Sequence, residues 1–353
     1  MVVYMVASPV TGYLGDRVPR KFIVAASVLV WSLATLASGL STSFLMLLVA
    51  RAMVGIGEAG YGTVAPSLIC DLYPKDARTR MLSYFYLAIP LGAAAGYAIG
   101  GAVGAAHSWQ MVFFVGGAPG LLLSILAFFM PEPQRGAFDP VESKTIPFRA
   151  ALKLLSGNKT FLVTTAGMTL MTFSIGGLAY WMPTFLELER GMPAGRIGFL
   201  FGATTALAGI SGTLVGGLVG DRMERINPQG GGGFWVSGWG LIAAAPLMIA
   251  SARLHQPVPI FVCLFFAQFL LFLNNGPLNA ALCNCVSPAF RAAAVGVNIL
   301  IIHLLGDALS PPLIGAFGSH FSLASAVQAN SLPVVVGGIL LLWEASRTRK
   351  DHC

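Results

Sequence analysis

The sequence predicts an all-helical membrane protein, and three observations carry that expectation. Apolar side chains make up 56% of the 353 residues and charged ones only 10%, against about 25% charged in a typical soluble domain. The apolar residues fall in long continuous runs, unlike the alternating ~10-residue segments of a barrel. In lipid, only helices and closed barrels satisfy their own backbone groups. So few charges cannot coat a water-facing fold, which excludes a soluble domain and a disordered chain. Five cysteines, odd in number and scattered through apolar runs, exclude a disulfide scaffold.

A crossing helix needs ~20 apolar residues. Ten runs meet that length: 22–40, 44–69, 81–105, 109–130, 160–186, 197–220, 234–252, 258–286, 292–318 and 326–343. Residues 1–14 form an eleventh, about 21 Å long as a helix and short of the ~30 Å hydrocarbon core. No basic segment precedes it and no small-residue cleavage site follows, so it does not read as a signal peptide.

The basic residues set orientation. One alternating set of loops and the tail holds 17 of the 21 Lys and Arg, while the opposite set holds Arg190, Arg196 and Arg253. Positive loops stay inside, so the linker and the C-terminus are expected in the cytoplasm, in a bacterial inner membrane. The net charge of +7 is therefore a topology signal, and no nucleic-acid partner is expected.

Residues 12–17 read GYLGDR and residues 217–222 read GLVGDR, an offset of 205. Self-similarity at that distance predicts two homologous halves. They are residues 1–130 and 160–353, joined by a cytoplasmic linker, 131–159. The linker carries Pro131, Pro133, Pro140 and Pro147 and an amphipathic stretch near Ile146–Leu155, expected on the membrane surface. The second half has six spans and the first has four and a stump. The expectation is a first half lacking about 46 residues, enough for one helix and the start of the next; a genuinely eleven-span protein is the other reading.

The turn G-x-x-G-D-R-x-x-R-K at Gly12–Lys21 resembles the loop signature of the major facilitator superfamily. Residues 4–21, RAMVGIGEAGYGTVAPSLICDLYP at 51–74, 80–101 and NILIIHLLGDALSPPLIG at 298–315 are similar to the spinster branch of lipid transporters. The resemblance covers nearly the whole chain. It implies a twelve-helix, two-bundle carrier that works by alternating access. For animal members it implies export of lysolipids or sphingoid lipids, often linked to protons. The departure is the first helix, which in that family carries an acid thought to cooperate with the fourth-helix glutamate.

Four ionisable residues fall within spans: Arg51, Glu58, His303 and Asp307. Each charge costs at least ~2.5–3.5 kcal/mol at the bilayer centre, so each should face an aqueous cavity or a partner. Arg51 and Glu58 are seven apart, on one helix face and separated by about 10.5 Å of rise. That is too far for an i,i+4 pair, but it sets a cation above an acid. Arg51 can hold a phosphate or carboxylate with paired hydrogen bonds, and a partly desolvated Glu58 can exchange protons near neutral pH. The resemblance points to the same two positions. His303 and Asp307 are i,i+4 and can contact each other, as a second proton or head-group site or as a packing pair. Asn274 and Asn275 precede Pro277, which frees a backbone carbonyl in mid-span; they are candidates for the cavity lining.

Asp16 can cap a neighbouring helix N-terminus, and Arg17 and Arg20 can reach Asp71. With Asp221, Arg222 and Arg225 as the second copy, these residues form the expected cytoplasmic gate, a reading that leans mostly on the resemblance. Gly92, Gly96 and Gly100 form a small-residue stripe that lets helices approach closely.

No phosphate loop G-x-x-x-x-G-K-[ST], no H-E-x-x-H, no C-x-x-C and no G-x-S-x-G occurs. The chain therefore reads as a secondary transporter, not an enzyme, monomeric and without cofactor. Its partners would be protons, membrane lipids and a small amphiphilic or anionic substrate such as a lysolipid. A small organic-anion permease of the sugar-acid type and a non-transporting fragment are the alternatives.

Overall fold

The computed structural model describes residues 1–139, 146–226 and 231–350, with the backbone alone at Tyr97, Ala105, Arg349 and Lys350. Pro140 of the linker lies outside the described residues. The helices in chain order are α1 (Val2–Gly15), α2 (Arg20–Gly39), α3 (Phe44–Leu72), α4 (Lys75–Tyr86), α5 (Ala88–Ala106), α6 (Trp109–Phe128), α7 (Phe148–Gly157) and α8 (Lys159–Leu188). They continue as α9 (Ala194–Ile226), α10 (Gly232–Arg253), α11 (Pro257–Phe272), α12 (Asn275–Asn284), α13 (Arg291–Ile302), α14 (Ser310–His320), α15 (Leu323–Ala329) and α16 (Leu332–Lys350). A 3-10 turn, Pro288–Phe290, precedes α13, and a π-helical turn, His303–Asp307, separates α13 from α14. No strand occurs among the described residues.

Among the described residues ten segments are long and apolar enough to cross a bilayer, and α1 is a shorter apolar helix. They correspond to the ten runs and the stump in the sequence. Four runs that read as single spans are each broken. The breaks fall at Leu87, at 273–274, between 303 and 309, and at 330–331. Each comes a few residues before a proline: Pro90, Pro277, Pro311 or Pro333. Proline has no N–H for the carbonyl four residues earlier and its ring crowds that carbonyl, so the helix bends or parts there. Side-chain caps start other helices. Ser43 Oγ accepts from Met46 N at 3.2 Å and Asn158 Oδ1 from Phe161 N at 3.0 Å, each satisfying an orphan N–H of the first turn.

The chain forms two compact units that do not follow chain order. One holds residues 1–74, 95–157 and 283–300; the other holds 75–94, 158–282 and the segment from 301 on. In the first, α2 packs against α3 and α6. Val24, Val28 and Val64 are buried together there, with Ile23, Trp31 and Tyr61 around them. Gly57 sits so close to the Ser27 carbonyl that a Cβ would stand 2.6 Å from it. In the second unit, Met168, Leu241, Met248, Leu271 and Leu341 form one core among α8, α10, α11 and α16. Met182, Phe185, Ile260 and Leu264 form another between α8 and α11.

The small-residue stripe on α5 does not do what its spacing suggests. A Cβ at Gly92 or Gly96 would meet nothing within 4 Å, and at Gly100 only the Val112 side chain at 3.7 Å. Close backbone approach occurs on α9 instead, where Gly212 and Gly216 abut the carbonyls of Phe269 and Leu273. In the linker, α7 occupies the expected amphipathic stretch. Ala151 and Leu155 are buried while Arg149 and Lys153 are exposed.

Candidate functional site

On α3, burial falls on Ala50, Val54, Gly57 and neighbours, and Arg51 and Glu58 stand exposed on the other side. Neither has a hydrogen-bond or ion-pair partner among the described residues. A cation and an acid thus share one face of a span-length helix with their valences unspent. Chemically, the pair offers an anion-binding fork and a proton-exchanging carboxyl one helical stretch apart.

His303 and Asp307 do meet, with Nδ1 2.6 Å from Oδ2, and both side chains are about one-fifth exposed. The π-helical turn carries them, closed by a bond from Ala308 N to His303 O of 2.9 Å; such turns recur at functional sites. Gly176 of α8 lets the turn approach: a Cβ there would stand 2.9 Å from Asp307 Oδ1 and 2.8 Å from Ser310 Oγ.

Asn274 and Asn275 take different places. Asn274 is fully buried, and its amide donates to the carbonyls of Leu270 at 2.9 Å and Leu271 at 3.0 Å, sealing its own helix end. Asn275 Nδ2 donates to Thr213 Oγ1 at 3.1 Å. Asn279 Nδ2 donates to Asn275 O at 2.8 Å, and Tyr86 Oη donates to Asn279 Oδ1 at 2.9 Å. Tyr86, Thr213 and Asn279 were not singled out by sequence; a polar residue four positions past Asn275 on a helix was the available signal.

The first unit holds a buried charge cluster. Asp71 pairs with Arg20 and, through its other oxygen at 2.8 Å, with Arg291. Arg20, Asp71 and Arg291 are each almost wholly buried. Arg20 Nε also reaches Glu132 at 2.9 Å, and Arg291 Nη2 reaches Asp139 at 2.9 Å. Asp16 accepts from the N–H groups of Ala292 at 3.0 Å and Ala293 at 2.9 Å, so it caps α13, and the dipole of that helix favours its charge. Gly12 makes this fit, since a Cβ would strike the Ala292 carbonyl. Burial nevertheless pushes the Asp16 carboxyl up to about 7, against the pull of the two N–H groups and of Arg135 and Arg20. Arg135 is itself lowered, by burial first and by Arg20 second; it donates to the carbonyls of Gly15 and Val18 at 2.9 and 2.8 Å. Arg17 does not reach Asp71. Its guanidinium lies 4.3 Å over the Tyr13 ring and donates to Ile146 O at 3.0 Å.

Sequence reading took Arg291 only as a topology base and left Glu132, Arg135 and Asp139 as linker charges. Their alternating signs within a Pro- and Gly-containing segment were the one available hint. In the second unit, Asp221 accepts from Arg80 N at 3.2 Å and lies 3.6 Å from Arg80 Nε; Arg222 is exposed. Asp16 and Asp221, the repeated acids, thus each accept backbone N–H groups from a distant helix.

Comparison with known proteins places these features in context. The sequence model of the Major Facilitator Superfamily matches residues 1–309. Protein spinster homolog 1 of Xenopus laevis is 34% identical over 382 residues, covering 99% of this chain and 72% of its own. Protein spinster of Drosophila melanogaster is 35% identical over 327 residues, covering 90% of this chain and 54% of its own. Among solved structures, a bacterial homolog of the human lysosomal transporter spinster, inward-facing and unoccupied, aligns with a TM-score of 0.65 at 24% identity, covering 99% of this chain and 88% of its own. The fucose:proton symporter of E. coli aligns with a TM-score of 0.78 at 14% identity, covering 96% and 88%. At these identities the structures speak for the fold alone.

Proposed function

The chain belongs to the major facilitator superfamily, in its spinster-like branch, and from that premise we propose that it is a proton-linked carrier of an amphiphile with a charged head, of the lysolipid or sphingoid type. A multi-pass membrane transporter of a small molecule, not an enzyme, is the coarser statement that membership makes. Residues 1–130 and 160–353 would be the two bundles of an alternating-access cycle, in a bacterial inner membrane with the C-terminus cytoplasmic.

The observation that carries the finer reading is the exposed pair Arg51 and Glu58 on one face of α3, neither with a hydrogen-bond or ion-pair partner among the described residues. Leaving two charges unpaired on a span-length helix costs several kcal/mol, a cost that a ligand and a proton would offset. Arg51 takes the anionic head, and Glu58 takes up and releases the proton. In the same reading the His303–Asp307 pair and Asn275 are substrate contacts, and the contacts of Asp16, of Arg20 with Asp71 and of Asp221 change as the cytoplasmic side opens and closes.

The test is uptake of a labelled lysophospholipid by proteoliposomes of the purified protein under an imposed pH gradient. Saturable, gradient-driven uptake is expected. Glu58→Gln should abolish the response to the gradient while sparing exchange, and Arg51→Ala should cost roughly tenfold or more in affinity through the lost charge-assisted bonds. Gradient-driven uptake undiminished in Glu58→Gln would sink the proton role. Uptake of a sugar acid without lysophospholipid would put a small-anion permease in its place, and uptake of neither would leave a non-transporting fragment.

A further inference from the structure

A groove in the second unit has the features of a lipid seat. It runs between α9 and α11 and encloses about 360 Å³. Arg196, Leu200 and Thr204 line one wall and Val258, Val262 and Phe266 the other. On α9 the lining residues are spaced i, i+4, i+8, which is one stripe of an α-helix, and on α11 they run in pairs with the same four-residue step, Pro257–Val258, Phe261–Val262 and Phe265–Phe266. The two stripes are therefore each about 12 Å long, close to the ~15 Å depth of one leaflet's hydrocarbon. Both helices begin at the same end, since one returning helix, α10, lies between them in the chain. Arg196 and Val258 thus mark the mouth, and Thr204 and Phe266 the deep end.

The mouth carries an uncommitted cation. Three bases lie at this end. Arg190 donates to the carbonyls of Ala252 and Leu254, and Arg253 donates to Gln328 at 3.2 Å. Arg196 is exposed and its guanidinium has no partner among the described residues. No acid lines the groove. An apolar slot one leaflet deep, with a free guanidinium at its surface end, matches one molecule: a lipid with an anionic head and an acyl chain. The guanidinium fork suits a phosphate, while its stem lies along the apolar wall.

We propose that this groove binds an anionic phospholipid from the leaflet at which α9 and α11 begin, its phosphate on Arg196 and one acyl chain between the two stripes. The site uses neither Arg51 nor Glu58, and it stands whatever the carrier's substrate is.

The experiment titrates the delipidated full chain with phosphatidylglycerol and with phosphatidylcholine and counts bound lipid by native mass spectrometry. One tightly held phosphatidylglycerol is expected, with phosphatidylcholine about tenfold weaker, the scale of one charge-assisted contact. Arg196→Gln should erase that preference. Val262→Trp, which fills the slot from an exposed position, should weaken both lipids, and Arg253→Gln at the same end should change neither. Equal retention by Arg196→Gln and Val262→Trp would overturn the site, since the lipid would then be an annular one held anywhere on the surface. Displacement by millimolar inorganic phosphate would overturn it too, as an anion site without a chain.

Discussion

Asp71 divides its two oxygens between two guanidiniums, Arg20 and Arg291, with all three groups shut away from water. Such a cluster is weak evidence for stability in itself, but breaking it leaves uncompensated buried charge. Asp71→Asn is expected to lower stability by about 3–5 kcal/mol, read as a fall in thermal midpoint in detergent. Asp16 supplies a pH signature. Its carboxyl sits at about 7 against an ordinary 3.8, so the folded chain binds a proton there that the unfolded chain has released. Between those values its contribution falls as pH rises, and above about 7 it is constant. An infrared carboxyl band titrating near pH 7, absent in Asp16→Asn, is the expected observation; the same band persisting in the variant would assign it elsewhere. The Asp16 cap and the Arg20–Asp71 pair were legible as possibilities, because an acid after a glycine turn has few other uses. Arg291 was not, because 220 residues separate it from Asp71.

At the scale of elements, the chain's apolar runs announced every span and its prolines marked every break, though the breaks were read as uninterrupted helix. Pro277 cannot bond to Leu273 O, and Gly216 of α9 lies directly against that carbonyl. A side chain at Gly216 would push the two helices apart. Gly216→Leu is expected to cost about 1–3 kcal/mol, the usual overpacking penalty, while Gly96→Leu, which opens into free space, should cost far less. Comparing detergent stability of the two variants checks this. The contrast shows why the stripe on α5 misled: spacing says that a glycine face exists, and only packing says whether anything lies on it.

At the scale of the whole molecule, the 17-to-3 distribution of bases predicts a C-terminus on the cytoplasmic side. A C-terminal tag should be reachable by antibody or protease only after the membrane is opened from the cytoplasmic face; access from intact cells would reverse the topology. The two compact units cut across chain order, with 283–300 joining the first 74 residues and 75–94 joining the later helices. Asp16 on α13 and Arg80 on Asp221 are among the polar contacts that bind those exchanged segments. Losing either should loosen one unit without erasing the helices, giving reduced thermal stability with unchanged far-ultraviolet circular dichroism.

By itself the sequence determined that this is a helical membrane protein, where its span-length apolar runs lie and which loops carry positive charge. These follow from hydrophobicity, backbone hydrogen bonding in lipid and local turn chemistry, all of which act over a few residues to a few tens. It also marked Arg51 and Glu58 as charges that need a reason, because a charge in an apolar run is costly wherever the run folds. Only the tertiary structure decided which charges pair, since Asp71, Arg291 and the linker acids Glu132 and Asp139 come from three distant segments. It alone decided which glycines are pressed against carbonyls and which face open space. Those outcomes depend on which helices lie side by side, and linear spacing carries no information about that.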